Sequence, residues 1–353
     1  MKRILYSIQT RIYELLAIAA CGTMLASCDN ILDNGYGDCT MKYRVKFKYD
    51  YNMKKADAFA NEVKSVTLYA FDDDGKFVYQ RTEQGDVLAA EDYSMPVEVE
   101  PGDYHLVSWA GLEGENSFAV PVLTEGESTI DELRCRMNRI YGRAADGSAI
   151  VSDHLASLFH GEVTKQSFSR AAGREQVITV PLVKNTNNIR IILQQISDKK
   201  VDVSKFEFTI TDDNGLMNYD NNLLDDETLT YYPWYTAQGT TNRSATGRAE
   251  GESEETGISV AVAQLTVGRL VEENHPQLTI TNKESGQVVL SIPLIDYLVM
   301  TEAEGHNMDN QEYLDRQDEY NMTFFLGPDM SWIKTQIIIN GWTVRFNDFG
   351  GLE

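Results

Sequence analysis

The chain is 353 residues long, with 31 Lys+Arg against 54 Asp+Glu, a formal net charge of -23 and 42% hydrophobic residues. That length suits two domains, each able to bury a core, and the composition is that of a globular protein, which excludes wholesale disorder and collagen-like structure. The negative balance excludes nucleic acid, whose phosphates Lys and Arg must neutralise, and it repels anionic lipid headgroups, so membrane attachment needs a hydrophobic device.

Residues 1–27 supply one. Lys2, Arg3 and Arg11 form a basic start, and an apolar stretch from Leu15 to Leu25 follows that is too short to span a bilayer, the pattern of an export signal. It ends in Leu25-Ala26-Ser27-Cys28, which resembles the bacterial lipobox. In such signals the cysteine thiol takes a diacylglyceryl group and the cysteine becomes the mature N-terminus, so Cys28 is the expected lipidation site. Removing residues 1–27 takes away Lys2, Arg3, Arg11 and Glu14, and the formal charge becomes -23 - 2 = -25. Each buried acyl CH₂ contributes ~0.8 kcal/mol, and several chains hold firmly where one does not. Residues 28–39 read as a polar, glycine-bearing tether. The longest later greasy patch, Ile292 to Met300, is interrupted by Pro293 and Asp296, so a chain anchored to a membrane without spanning it is expected.

Past the tether, short alternating runs punctuated by turn residues predict an all-β chain. Tyr43 to Tyr49 alternates strictly, then come Val63 to Phe71, Phe77 to Tyr79, Tyr104 to Trp109 and Val177 to Val183. The second half continues with Asn188 to Leu193, Phe206 to Ile210, Ile258 to Val267, Gln277 to Ile280, Val288 to Ile292, Tyr320 to Leu326, Ile337 to Ile339 and Trp342 to Phe346. Asn340-Gly341 between the last two is a hairpin signal, because a type I′ turn needs positive φ twice. Gln238 to Gly257, rich in Gly, Ser, Thr and Glu, predicts a mobile loop, and Leu294 to Tyr320 predicts a partly helical insertion with Tyr313, Leu314 and Gln317 near its end.

An internal echo divides the chain. Ser65 to Gly75 matches Lys205 to Gly215 at a constant offset of 140, each a strand running into an acidic turn, and Tyr79 and Tyr219 keep the offset. The expected units are residues 40–185 and 186–353, with the break at Lys184-Asn185-Thr186-Asn187.

Export places the chain where disulfides persist. Cys21 leaves with the signal and Cys28 is taken by lipid, which leaves Cys39 and Cys135. Ser128 to Tyr141 carries Ile130, Leu133, Met137, Ile140 and Tyr141 at helical spacing, with Cys135 roughly opposite. A cysteine off the buried face is not a core residue, which favours a Cys39–Cys135 bridge, worth ~2–4 kcal/mol, over two unrelated thiols.

Chemistry-bearing motifs are few. Asp72-Asp73-Asp74-Gly75 invites a calcium reading, but Gly falls at loop position 4 and Lys76 at position 5, so a plain turn fits better. The histidines 105, 154, 160, 275 and 306 are dispersed, and no zinc spacing, P-loop, Rossmann fingerprint or G-x-S-x-G is present. No enzyme activity, metal or cofactor is expected. The cluster Tyr231-Tyr232-Pro233-Trp234-Tyr235 leaves three readings open: rings stacked on a glycan, anchors for a partner protein, or a cap on the second core.

These residues together resemble the FimB-like fimbrial anchor lipoproteins of Bacteroidales. The resemblance rests on the lipobox, Asp38-Cys39, Tyr49-Asp50-Tyr51-Asn52-Met53, Ala58-Phe59, Phe71 to Gly75, Pro101-Gly102-Asp103-Tyr104, Trp109-Ala110-Gly111, the closing Asn340-Gly341-Trp342 and, most specifically, Gln311 to Tyr320. It implies two transthyretin-like β-sandwich domains in tandem with short helical insertions, lipid attachment in the outer membrane, and a place at the base of a fimbrium. Subunits of that class join by strand addition, in which backbone hydrogen bonds give affinity and alternate side chains fill pockets. Related shaft subunits lose their lipidated segment by cleavage after an arginine. Here the first arginine after the lipid site is Arg44, inside an expected strand, which favours retention of the anchor. The competing expectations are a shaft or tip fimbrillin released by proteolysis, and a surface glycan-binding lipoprotein.

Overall fold

A computed structural model describes residues 43–114, 116–169, 175–195, 199–241, 258–300 and 308–345. The predicted signal, Cys28, the tether and Cys39 lie outside the described residues. Alternation with period two sets the first half. Strand β1 (Tyr43–Lys48) buries Tyr43, Val45 and Phe47 and turns its intervening residues outward. It is followed by β2 (Ser65–Asp72), β3 (Phe77–Gln84), β4 (Met95–Val97), β5 (Gly102–Ala110), β6 (Phe118–Ala119), β7 (Cys135–Met137), β8 (Ile140–Arg143), β9 (Ala149–Val151), β10 (Phe159–Phe168) and β11 (Gln176–Lys184). The second half holds β12 (Asn187–Gln195), β13 (Phe206–Asp212), β14 (Leu216–Met217), β15 (Leu229–Tyr231), β16 (Tyr235–Thr241), β17 (Ile258–Val267), β18 (Gln277–Asn282), β19 (Val288–Pro293), β20 (Glu319–Leu326), β21 (Trp332–Ile339) and β22 (Trp342–Arg345).

The chain forms two β-sandwiches. In the first, the strand order is β3-β2-β5-β10-β11-β1-β4. Strand β11 pairs with β10 through Leu182–Lys184 and with β1, in parallel, through Gln176–Pro181, so it passes from one layer to the other and lets the strands wrap Val45, Phe47, Leu68 and Phe159. In the second, β16-β17-β12-β20-β21-β22 faces β19-β18-β13-β15-β9-β8 across Ile191, Phe324, Ile210 and Ile280.

The two units share one connectivity. Strand β1 lies between antiparallel β4 and parallel β11, and β12 lies between antiparallel β17 and parallel β20. Strand β2 pairs with β5 and β5 with β10, as β13 pairs with β18 and β18 with β19, all antiparallel. The echo at offset 140 therefore falls on equivalent strands, β2 and β13. The hairpin β21–β22 has no counterpart in the first unit. Its turn has φ of 49° at Asn340 and 87° at Gly341, as a type I′ turn requires.

The chain does not part cleanly at residue 185. Strand β9 pairs in parallel with β15, and β7 pairs with β14, so residues before the expected break complete sheets of the second sandwich. Strand β2 is buried on both faces for the same reason: Val66, Leu68 and Ala70 pack into the first core, while Tyr69 and Phe71 pack into the second beside Trp109.

Ser128 to Tyr141 is not the expected helix. One 3₁₀ turn, Ile130–Glu132, gives way to an extended run in which Leu133, Cys135 and Met137 are buried and Arg134 and Arg136 are exposed. Apolar residues two and four apart satisfy both periods, and the two arginines break the tie, because a strand turns both to solvent. Cys135 is thus a core residue with a free thiol, and burial pushes that thiol's pKa well up. The argument for a bridge from an outward-facing Cys135 is removed. The predicted loop at Gln238 begins as strand, since β16 runs to Thr241, and residues 242–257 lie outside the described residues. The insertion at Leu294 holds two helices, Leu294–Val299 and Asn310–Arg316.

Candidate functional site

The two stretches that carry the family resemblance best meet at the junction of the sandwiches. Asp309 caps the helix Asn310–Arg316 by accepting from the Glu312 N–H at 2.7 Å, and Tyr313 and Leu314 drive its inner face into the core. Its last residue, Arg316, holds its guanidinium 3.9 Å from the centre of the Tyr51 ring, and its carbonyl accepts from the Met53 N–H at 3.2 Å. Lys184 reaches Glu62 at 2.9 Å and Asp318 at 2.5 Å. Burial alone would lower the Lys184 pKa, but the carboxylates of Asp318 and Glu62 outweigh it and hold the value raised. Within the second sandwich Arg139, between β7 and β8, pairs with Asp226 and, at 3.0 Å, with Glu227. The sandwiches are stapled by the Lys184–Asp318 pair and by β2, which packs into both cores.

The aromatic cluster is divided by Pro233. Tyr231 ends β15 and is fully buried, its hydroxyl donating to Asn214 Oδ1 at 2.5 Å, so it belongs to the core. Tyr232 is half-buried. Trp234 precedes the next strand and Tyr235 opens it; they remain 39% and 47% exposed, their rings 5.8 Å apart, with the Trp234 ring edge-on to His154 at 4.8 Å. The structure therefore keeps two of the four rings as surface groups.

Those two rings begin the most open sheet edge. Proteins normally blunt an edge with charge, proline or shortness. Strand β3 carries Arg81 and Glu83, β4 contains Pro96, β8 is a four-residue strand with an irregular register, and β19 closes on Pro293. Strand β16, Tyr-Thr-Ala-Gln-Gly-Thr-Thr, has seven residues, no charge and no proline, and among the described residues pairs along its whole length with β17 and on that side only. Its other side offers a row of backbone N–H and C=O groups to an added strand, with Trp234 and Tyr235 as anchors.

The acidic turns serve themselves. Asp72 Oδ1 accepts from the backbone of Asp74 at 3.0 Å and Lys76 at 2.8 Å, a turn closed by its own carboxylate. In the equivalent turn Asp212 is 6% exposed; its Oδ1 accepts from the Asp213 N–H at 2.9 Å, and burial pushes its carboxyl up to about 7. Among the described residues no group of three or more His, Cys, Asp or Glu is placed to hold a metal. His160 is likewise buried, which lowers its pKa to about 4, and its Nε2 lies 2.7 Å from the Tyr219 carbonyl. No helix of the described residues is long and apolar enough to cross a membrane.

Sequence patterns could have revealed the open edge: a run of β-permissive residues without charge, flanked by rings, reads as an unprotected strand. The absence of large aliphatics and the Gly239 in its middle make it read as loop instead.

Comparison with known proteins agrees with this architecture. Residues 36–348 match the family described as fimbrillin-A associated anchor proteins Mfa1 and Mfa2. The chain is 22% identical over 348 residues to the minor fimbrium anchoring subunit Mfa2 of Porphyromonas gingivalis, covering 98% of each chain. Among solved structures, a putative adhesin from Bacteroides thetaiotaomicron is 37% identical with a TM-score of 0.76, over 89% of this chain and 100% of that one. A second protein of that organism, described as a putative polysaccharide binding protein, is 35% identical with a TM-score of 0.73, over 87% and 99%. The fimbrial anchor protein Mfa2 of Porphyromonas gingivalis shares the fold, at 17% identity and a TM-score of 0.62 over 87% and 99%.

Proposed function

Because the chain belongs to the family of fimbrillin-A associated anchor proteins, we propose that it fixes the base of a fimbrium to the outer membrane, held by acyl chains on Cys28 and joined to the first shaft subunit by strand addition along β16. The observation that carries this reading is the uncharged, proline-free edge of β16 beside two exposed rings. The stapled junction supports it, since a load applied at β16 in the second sandwich reaches the lipidated end through the first. Retention of the lipid follows from the place of Arg44. This residue lies in β1, in register with Val177 on one side and Pro96 on the other, and its Nε donates to Ser94 Oγ at 2.7 Å, so a protease meets it only after unfolding.

The test is affinity isolation from native membranes. The wild-type chain is expected to bring fimbrial polymer with it and to begin at an acylated Cys28. The double variant Thr236→Lys/Thr240→Lys, which puts charge on the edge, should keep its melting temperature and lose the polymer, while Cys28→Ala should release chain and polymer together. A mature N-terminus beyond Arg44, or full capture by the lysine variant, refutes the reading.

A further inference from the structure

The outer face of the sheet β16-β17-β12-β20 carries a feature that extends beyond its free edge. Beside Trp234 lies an open cavity of about 280 Å³, walled by the Trp234 and His154 rings and floored by side chains of three adjacent strands. The register sets that floor. Arg190 of β12 pairs with Gln264 of β17 on one side and with Asn321 of β20 on the other, and one pleat earlier Asn188 pairs with Glu319. Planar polar groups therefore stand ~4.8 Å apart across the strands within each of two rows, and the rows lie ~6.6 Å apart along the strands, on one face. The Arg190, Gln264, Glu319 and Asn321 side chains make no hydrogen bond or ion pair with any described residue. Their donors and acceptors are left to solvent or to a ligand.

That inventory fits one ligand class. Guanidinium, amide and carboxylate groups are planar and two-pronged, and they match adjacent hydroxyl pairs, with donors and acceptors both on offer. An exposed indole at the rim gives a flat apolar surface for the C–H face of a sugar ring, as aromatic walls with a few placed polar groups do in ligand sites generally. Arg190 and Glu319 leave the floor formally neutral in a chain of net charge -23, so the site selects neither anion nor cation. A polar floor is also unsuited to an apolar peptide, which would leave these groups buried without partners. We propose that this cavity is a subsite for a neutral pyranoside of a surface polysaccharide. The site shares Trp234 with the anchoring edge but takes its floor from the face of the sheet, so Arg190→Ala tests it apart from the anchoring role.

The experiment titrates the full chain, purified in detergent, with cellohexaose, mannohexaose and maltohexaose, reading saturation-transfer NMR and tryptophan fluorescence. Binding of at least one sugar is expected, with saturation passing to ring protons. Trp234→Ala and Arg190→Ala should each weaken it by about tenfold or more at unchanged melting temperature, the loss expected when a stacking surface or a two-pronged partner goes. No transfer to any of the three sugars overturns the proposal, as does binding that survives both substitutions. Fimbrial capture is read separately on Arg190→Ala, which leaves the β16 edge and its rings intact, so either role can fail alone.

Discussion

Replacing Asp212 with Asn should make the protein more stable at neutral pH and leave it no better, or worse, in acid. The carboxyl is 6% exposed, its Oδ2 has no hydrogen-bond partner, and burial raises its pKa from 3.8 to about 7. Between those two values the folded chain keeps a proton that the unfolded chain has released. Stability therefore falls by about 1.4 kcal/mol per pH unit as pH rises, about 4 kcal/mol across the window. Wild-type protein will not show this slope cleanly, because His160 opposes it. Burial lowers that pKa from 6.5 to about 4, so between these values only the unfolded chain is protonated and stability rises with pH, by about 3 kcal/mol. The two groups nearly cancel from pH 4 to pH 6.5, and above pH 6.5 only Asp212 still titrates. The variant removes one side of the balance. Urea unfolding at half-unit steps from pH 4 to pH 8 should show Asp212→Asn gaining on wild type as pH rises, with the gain levelling off above about pH 7. The amide needs partners of its own, which adds a pH-independent offset but no slope. A difference between variant and wild type that stays constant from pH 4 to pH 8 would show that the carboxyl ionises at its ordinary value, held by the Asp213 N–H, and would refute the reasoning.

Two further outcomes are expected. The Arg139 and Asp226 side chains are 10% and 8% exposed, so Asp226→Ala, which leaves the buried guanidinium only the more exposed Glu227, should cost about 2–3 kcal/mol, whereas Glu227→Gln should cost under about 1 kcal/mol. Unfolding should remain a single transition in both, because β2 is packed into both cores; two separated transitions would contradict that shared strand. Cys135 should be inert to thiol reagents in the native protein and react in denaturant without any reductant, as mass mapping of the labelled peptide would show. A peptide at position 135 that labels only after reduction would restore the bridge to Cys39.

Period-two alternation made most of the long strands legible. Ile258–Val267 has the predicted bounds, and β1, β12 and β20 differ by one or two residues, because each buries a single face and so writes its pleat into the sequence. Strand β10 was not legible. It buries Phe159, His160 and Gly161 at one end and Phe168 at the other, with polar residues between, and its place is set by pairing to β5 with an irregular register from Val163 to Gln166. Gly161 stands where a Cβ would come within 2.6 Å of the Pro181 carbonyl, a constraint imposed by a strand distant in sequence. Gly111, in a stretch that carried the family resemblance, is similar. It has φ of 92°, and a Cβ there would lie 1.9 Å from the Ser157 carbonyl, so the motif records a backbone crossing between sandwiches.

The same distinction explains which part of the candidate site the sequence disclosed. Tyr231, Tyr232, Trp234 and Tyr235 look alike in a row, yet Tyr231 ends β15 in one sheet and Trp234 directly precedes β16 in the facing sheet. Pro233 lacks the N–H that would continue β15, so the chain leaves one layer there and enters the other. Composition alone cannot say on which side of that step a ring falls. The floor of the cavity is further from legibility: Arg190, Gln264 and Asn321 are separated by more than fifty residues each and meet only because β12 lies between an antiparallel and a parallel neighbour. The first unit has the same arrangement, with Arg44 flanked by Val177 and Pro96, but there Arg44 bonds to Ser94 and is not left open. Both units use the same strand arrangement, and only the second leaves its central arginine free of protein partners among the described residues.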